Sequence, residues 1–346
     1  MSRSLSRVVL VLGSVVATLG MSACGGSSKA AGSTPGEVRL GYFPNLTHAT
    51  AIVADKEGFF TKHLGVTQLK VSTFNAGPAA IEALKSGAID ATYVGPGPAT
   101  NAYINSDGQA LTVVAGAATD GTSFVVDRSI MKAADLKGKK VSTPQLGNTQ
   151  DIALRYWLRQ QGLRTDLQGG GDVTVLPQDN AQIVEAFKQK LIVGAWVPEP
   201  YATRLVQAGG KVLVDERDLW PNKQFAITLL AVRTDFLKAH PDTVKALLAG
   251  DLDATDFIAK HTAGAQRDVA DLIAKISGKP LKAPLIEDAW KRLQFTVDPV
   301  PSSLLSGAQH AFEVGVLKKE PRLDKLVDLS LLNQLLKERG KTEITP

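Results

Sequence analysis

Pro44-Asn45-Leu46-Thr47-His48, followed by Ile52, returns a hundred positions later as Pro144-Gln145-Leu146-Gly147-Asn148, followed by Ile152. Further on, Glu82-Ala83-Leu84-Lys85 returns as Glu185-Ala186-Phe187-Lys188, now at an offset of 103. The same register carries Ile89 onto Ile192, Tyr93 onto Trp196 and Val94 onto Val197. Two segments matching in order and spacing predict two similar α/β lobes. All such units obey the same periodicity rules, so the match speaks for architecture and not for ancestry.

Outward from these segments, short apolar runs alternate with helical patterns. Val38–Tyr42, Leu69–Phe74, Ile89–Val94 and Leu111–Ala115 read as strands; Ala49–Glu57, Pro78–Ser86 and Ala99–Asn105 read as helices. This alternation predicts mainly parallel sheets flanked by helices. Phe225–Val232 is long and apolar enough for a buried strand, and five helices follow from Pro241 onward. The expected division is 37–117 plus 225–346 as the first lobe, carrying the C-terminal helices, and 118–224 as the second.

Composition bounds the function. The 346 residues are 44% hydrophobic and 21% charged, which suits packed globular lobes. With 39 Lys+Arg against 34 Asp+Glu and no basic block, nucleic acid is not an expected partner. A single cysteine excludes an internal disulfide framework and a thiolate zinc cluster. The five histidines show no metal-ligand spacing, and no Gly-x-Ser-x-Gly, Walker A or dinucleotide fingerprint is present. The expectation is therefore no enzyme, no metal, no cofactor, and a monomer.

The cysteine has a particular setting. Arg3 and Arg7 precede the apolar run Val8–Leu19, which is too short to span a bilayer, and Met21-Ser22-Ala23-Cys24 follows at once. The pattern is that of a lipoprotein signal peptide over 1–23 with lipid on Cys24, ordinary cleavage nearby being the alternative. Residues 24–36, rich in Gly, Ser and Ala, read as a flexible tether. The chain is expected at the outer face of the cell membrane, held by lipid.

Loops after the C-terminal ends of parallel strands share one edge, where ligands bind. Four such loops stand out: Pro44–Ala49, Gly95–Pro98, Pro144–Gln150 and Val197–Pro200. Thr47, Asn148 and Thr149 suit helix caps, and free N–H groups at helix starts bind anions without Lys or Arg. Tyr42, Phe43 and Trp196 are open to two readings, core packing or ligand contact, and His48 to three: cap, surface or ligand. Glu199, the acid among these loops, either turns outward to a cation, accepts a ligand N–H, or is buried and neutral.

Gly41-Tyr42-Phe43-Pro44-Asn45-Leu46-Thr47-His48-Ala49, Glu57-Gly58-Phe59-Phe60, Asn75-Ala76-Gly77-Pro78, Ala83–Asp90, Gly95-Pro96-Gly97-Pro98-Ala99 and Ala195–Tyr201 follow one another in order. Together they resemble the aliphatic sulfonate/taurine/nitrate family of ABC-importer substrate-binding lipoproteins. The resemblance implies a two-lobed periplasmic-binding-protein fold of type II. It also implies capture of a small anionic or zwitterionic solute, sulfonate- or taurine-like, and delivery to an ABC permease and its ATPase. A thiamine-precursor pyrimidine or a nitrate-like solute is the alternative ligand, and a pyrimidine-related enzyme on this fold the alternative activity. Loops and motifs give the candidate ligand set: Tyr42, Asn45, Thr47, His48, Gly77, Gly95, Pro96, Gly97, Gly147, Asn148, Thr149, Gln150, Trp196 and Glu199.

Overall fold

The computed structural model describes residues 36–278 and 280–345; the expected signal peptide, Cys24 and the expected tether up to residue 35 lie outside them. The first stretch runs β1 (Glu37–Tyr42), α1 (Ala49–Lys56), α2 (Phe59–Leu64), β2 (Gln68–Thr73), α3 (Gly77–Lys85), β3 (Ala91–Val94), α4 (Pro96–Asn105) and β4 (Leu111–Asp120). The second runs β5 (Thr122–Val126), β6 (Lys140–Thr143), α5 (Thr149–Gln160), β7 (Thr174–Pro177), α6 (Asn180–Lys188), β8 (Gly194–Pro198), α7 (Tyr201–Gln207) and β9 (Lys211–Asp215). The chain then returns through β10 (Ala226–Arg233), α8 (Thr234–Ala239), α9 (Pro241–Lys260), α10 (Thr262–Ser277), α11 (Ala283–Trp290), β11 (Leu293–Gln294), α12 (Pro301–Glu313) and α13 (Ser330–Glu338).

Two sheets result, ordered β11-β4-β10-β3-β1-β2 and β7-β6-β8-β5-β9. Within each sits the same parallel triplet, β2-β1-β3 in one and β7-β6-β8 in the other, and the sequence repeat maps one onto the other. Beside each triplet lies an antiparallel strand, β10 against β3 and β5 against β8. The sheets are thus mixed, where the alternation alone predicts mainly parallel ones. The reason is connectivity: β5 and β10 each follow a strand of the other sheet, so no crossover helix sets their direction. The strand expected over Leu111–Ala115 runs on to Asp120, because Gly116–Thr119 pair with β10 although small residues make a weak strand pattern.

Helices cover the first sheet. Along α9, Val244, Leu247, Leu248, Leu252 and Ile258 are buried at helical spacing and join α1 and α2 in one apolar layer. The second sheet is covered on one face by α5 and on the other by α6 and α7. Of the C-terminal helices, α9, α10 and α13 pack on the first sheet's layer, while α11 reaches α7 and α12 reaches α5. No helix among the described residues is long and apolar enough to cross a membrane.

One polar contact pins helix to sheet inside the largest apolar layer. The Tyr93 hydroxyl of β3 donates to Asp251 Oδ1 of α9 at 2.6 Å, with both groups fully buried. Burial pushes the Asp251 carboxyl up to about 7, and its Oδ2 has no partner. Tyr93→Phe removes the donor and leaves a buried acid alone, at a cost of about 1–3 kcal/mol. The loss should be larger at pH 8, where the carboxyl is charged, than at pH 6, where it is protonated. Urea unfolding at the two pH values checks this.

Candidate functional site

Because β1, β2 and β3 are parallel, their C-terminal ends share one edge, and β6, β7 and β8 repeat this in the second sheet. The two edges face each other across a cavity of about 20 Å³. From the first come Phe43, Asn45, Thr47 and His48 after β1, Asn75 and Ala76 after β2, and Gly95 after β3. From the second come Asn148, Thr149 and Gln150 after β6, Asn180 after β7, and Pro198 at the end of β8; Ile227 of β10 closes the wall. The lobes touch around it. Gly97 N–H donates to Thr149 Oγ1 at 3.2 Å, Leu46 N–H to the Glu199 carbonyl at 3.3 Å, and Asn75 Nδ2 to Asp179 at 3.5 Å.

The lining carries no Lys, Arg, Asp or Glu among the described residues. Its polar groups are neutral and partly spoken for. Thr47 Oγ1 donates to Asn45 Oδ1 at 2.6 Å, and Asn148 Nδ2 to Gln150 Oε1 at 2.8 Å. His48 is stacked on Phe43 with ring centroids 4.1 Å apart, and its Nδ1 accepts the Phe43 N–H at 3.3 Å. The proton therefore sits on Nε2, leaving a donor on a residue that lines the cavity. Burial pushes the His48 pKa down to about 3, so the ring is neutral at physiological pH. Asn180 Oδ1 is buried without a partner. The arrangement offers amides, a hydroxyl and an imidazole N–H beside the starts of α1, α3, α5 and α6, which suits a small solute with negative charge. Among the described residues no three His, Cys, Asp or Glu gather as a metal ion requires.

Seven of the fourteen candidate residues line this cavity: Asn45, Thr47, His48, Gly95, Asn148, Thr149 and Gln150. The structure places the others elsewhere. Tyr42 points to the opposite face of β1, into the first core, and donates to Asp55 Oδ2 at 2.7 Å. Trp196 stacks on Phe124 at 5.5 Å, and its Nε1 donates to Glu216 Oε2 at 2.6 Å. Gly77 is a packing position: a Cβ there would lie 2.4 Å from Pro98, so its bareness lets α3 meet α4. Pro96 and Gly97 line a neighbouring cavity. Gly147 borders an outer groove with Leu146; its φ of 74° shapes the turn, and its N–H donates to Asp151 Oδ2 at 2.9 Å.

Glu199 turns from the cavity. It is fully buried, accepts the Thr203 N–H at 3.0 Å, and lies 3.3 Å from Arg292 Nε. Burial pushes its carboxyl up to about 7. Asp151 braces the facing loop from beneath, taking Thr143 Oγ1 at 2.9 Å, the Gly147 N–H and Arg155 Nε at 3.0 Å. Arg155 is thus occupied by this buried pair and does not reach the cavity. Asn75, Ala76, Asn180 and Ile227 are the lining residues that loop reasoning missed. The repeat held the signal for Asn180, which falls 103 positions after Gly77.

The fold is the two-lobed periplasmic-binding-protein fold of type II, with the candidate cavity between the lobes. The NMT1-like family model matches residues 31–274, and the chain belongs to that family. A curated protein of Brucella abortus, described as a binding protein, is 31% identical over 242 residues, covering 69% of this chain and 70% of that one. The taurine-binding periplasmic protein of Escherichia coli is 27% identical, covering 66% and 70%. Among solved structures, the alkanesulfonate-binding protein SsuA from Xanthomonas axonopodis bound to MOPS has a TM-score of 0.71 at 20% identity, covering 85% of this chain and 98% of that one. The periplasmic nitrate-binding protein NrtA from Synechocystis has 0.72 at 18%, covering 88% and 89%.

His48 supplies a pH test. Its folded pKa near 3 lies below the unfolded value of about 6.5, so below pH 6.5 the unfolded chain takes up a proton that the fold refuses. Stability falls as pH drops, by about 1.4 kcal/mol per unit from this group. Between pH 7.5 and 5, the stability difference between wild type and His48→Gln should shift by about 2 kcal/mol in favour of the variant. Denaturant melts at both pH values measure it.

Proposed function

We propose that this chain captures a small anionic or zwitterionic solute, sulfonate- or taurine-like, between its lobes and delivers it to an ABC permease driven by its ATPase. The observation that carries this reading is the cavity lining: neutral donors from both sheets, several helix starts, and no charged side chain. A fixed cation would hold an anion strongly in the interior and slow its release, whereas dipoles and N–H groups bind it reversibly. Asn180 Oδ1, buried and unpartnered, offers an acceptor for a ligand N–H and supports the zwitterion over nitrate. The taurine-binding and alkanesulfonate-binding relatives support the same class. The protein acts by binding, so the solute should be recovered chemically unchanged.

Thermal melts and titration calorimetry with taurine, alkanesulfonates, nitrate and a hydroxymethylpyrimidine test this. Ligand at a hundred times its Kd stabilises by about 2.7 kcal/mol and raises the Tm by several degrees. Gly95→Val should weaken binding at least tenfold, because a Cβ at Gly95 would sit 2.4 Å from Thr149 Oγ1 and hold the lobes apart. A rise with the pyrimidine alone would overturn the sulfonate reading.

Anchoring is proposed through lipid on Cys24, at the outer face of the membrane. Cys24→Ser should move the mature protein from the membrane to the soluble fraction, since no described helix can hold it there. Fractionation at high salt, with retention in the membrane as the contrary result, checks it.

A further inference from the structure

A second cavity, of about 30 Å³, adjoins the polar one, and Thr149 lines both. Its outer wall is α12, which ends there with His310. This helix belongs with the first sheet, since Leu304, Ala308 and Ala311 are buried in that sheet's core. Helix α5, by contrast, covers the second sheet. Where the two helices meet, the His310 ring lies on the Tyr156 ring, with centroids 3.6 Å apart and planes 14° from parallel. One turn further on, Arg159 Nη1 donates to the Glu313 carbonyl at 2.6 Å, and Arg159 Nε lies 3.9 Å from the Glu313 carboxylate. These contacts join helices of different lobes, and none of the four residues lines the polar cavity.

One member of the stack can take up a proton. Burial pushes the His310 pKa down from its ordinary value and outweighs the Glu313 carboxylate, which pulls it up. From α5 the ring faces Tyr156 and Arg159, and from its own helix Glu313. From the return segment Trp220 lies 5.5 Å away, and Glu216 lines the same cavity, held by the indole N–H groups of Trp196 and Trp220. Helix α4 brings only Pro96, Gly97 and Thr100 to this cavity, none of them titratable. Neither His310 ring nitrogen has a hydrogen-bond partner among the described residues, so nothing in the closed arrangement rewards a second ring proton. Once α5 withdraws, water reaches the ring and its pKa returns towards about 6.5. The closed arrangement therefore prefers the neutral ring, and protonation below about pH 6.5 favours separation of the helices.

We propose that Tyr156 and His310, braced by Arg159 and Glu313, form a latch between the lobes that sets how tightly a solute is held without touching it, and that acid releases the latch. The four are positioning residues. A solute enclosed between the lobes leaves when they part, so a contact made only in the closed form acts chiefly on the dissociation rate. The inference rests on the proposed capture of a solute between the lobes. Two other groups titrate nearby, Glu216, pushed up to about 7, and His48, pushed down to about 3. Both are present in wild type and variants alike, so their effects cancel in a comparison between the two.

Stopped-flow binding of taurine and of ethanesulfonate, at pH 7.5 and pH 5.5, tests it on the wild type, Tyr156→Ala, Tyr156→Phe and His310→Phe. At pH 7.5, Tyr156→Ala should speed dissociation about threefold to tenfold, the worth of an aromatic stack, with little change in association. Tyr156→Phe keeps the ring and should restore the wild-type rate. His310→Phe keeps the stack but takes no proton. Between pH 7.5 and 5.5 the wild type should lose affinity relative to this variant, by up to about tenfold, the limit for a group of pKa near 6.5 whose proton the closed form excludes. An affinity ratio that ignores pH overturns acid release, and unaltered dissociation in Tyr156→Ala overturns the latch. A second readout needs no solute. Spin labels at Val66→Cys and Leu191→Cys, 92% and 61% exposed on the first and second lobes, report the distance between lobes in the Cys24→Ser chain. Tyr156→Ala, or pH 5.5, should shift the distances outward, and distances that respond to neither overturn the latch. Silence of both solutes with responsive labels overturns the capture reading and leaves the latch standing.

Discussion

The closed arrangement depends on how near the Gly95-Pro96-Gly97 turn comes to Thr149. A Cβ on Gly95 would lie 2.4 Å from Thr149 Oγ1, and one on Gly97 would lie 3.1 Å from Thr149 Cα. Only backbone fits between the two sheet edges at this point. That lack of side chains lets Gly97 N–H bond across the gap, and it brings both cavities to the same threonine. Side chains on that turn would force the edges apart, and the neutral donors on either side would no longer reach one solute.

Charge is kept out of the polar cavity and spent bracing its walls instead. Asp151 ties down the loop on the second sheet through Thr143, Gly147 and Arg155. Glu199 lies against Arg292, and Glu216 joins Trp196 to Trp220. Removing one partner from such a buried set is costly, because the remaining group cannot recover its water. The loops are therefore braced from behind, and within the cavity the Asn180 Oδ1 and the His48 Nε2–H remain to answer a ligand. Glu199 and Glu216 are both pushed up to about 7 by burial, so near neutral pH each carboxyl is partly protonated.

The exchange of strands couples the halves. Because β5 pairs with β8 while β4 pairs with β10, each sheet contains a strand that follows directly on one of the other. The return segment between β9 and β10 also supplies Trp220 and Phe225 to the second cavity. Movement of one lobe against the other therefore acts directly on the walls around a bound solute.

The repeated segments determined the main architecture: two parallel triplets, each ending in loops that open helices, and the meeting of those loops. Asn45, Thr47, His48, Gly95 and Asn148–Gln150 were legible because loop position alone decides where they lie. Tyr42, Trp196 and Glu199 were not, because a strand has two faces and a turn two sides. Partners far along the chain chose between them: Asp55 for Tyr42, Glu216 for Trp196, Arg292 for Glu199. The second cavity was invisible for the same reason, since α4, α5, α12 and the 216–226 segment meet only in space. Local periodicity encodes which elements form and in what order. Which side chains face one another is settled by packing between distant elements, where burial and hydrogen-bond satisfaction decide.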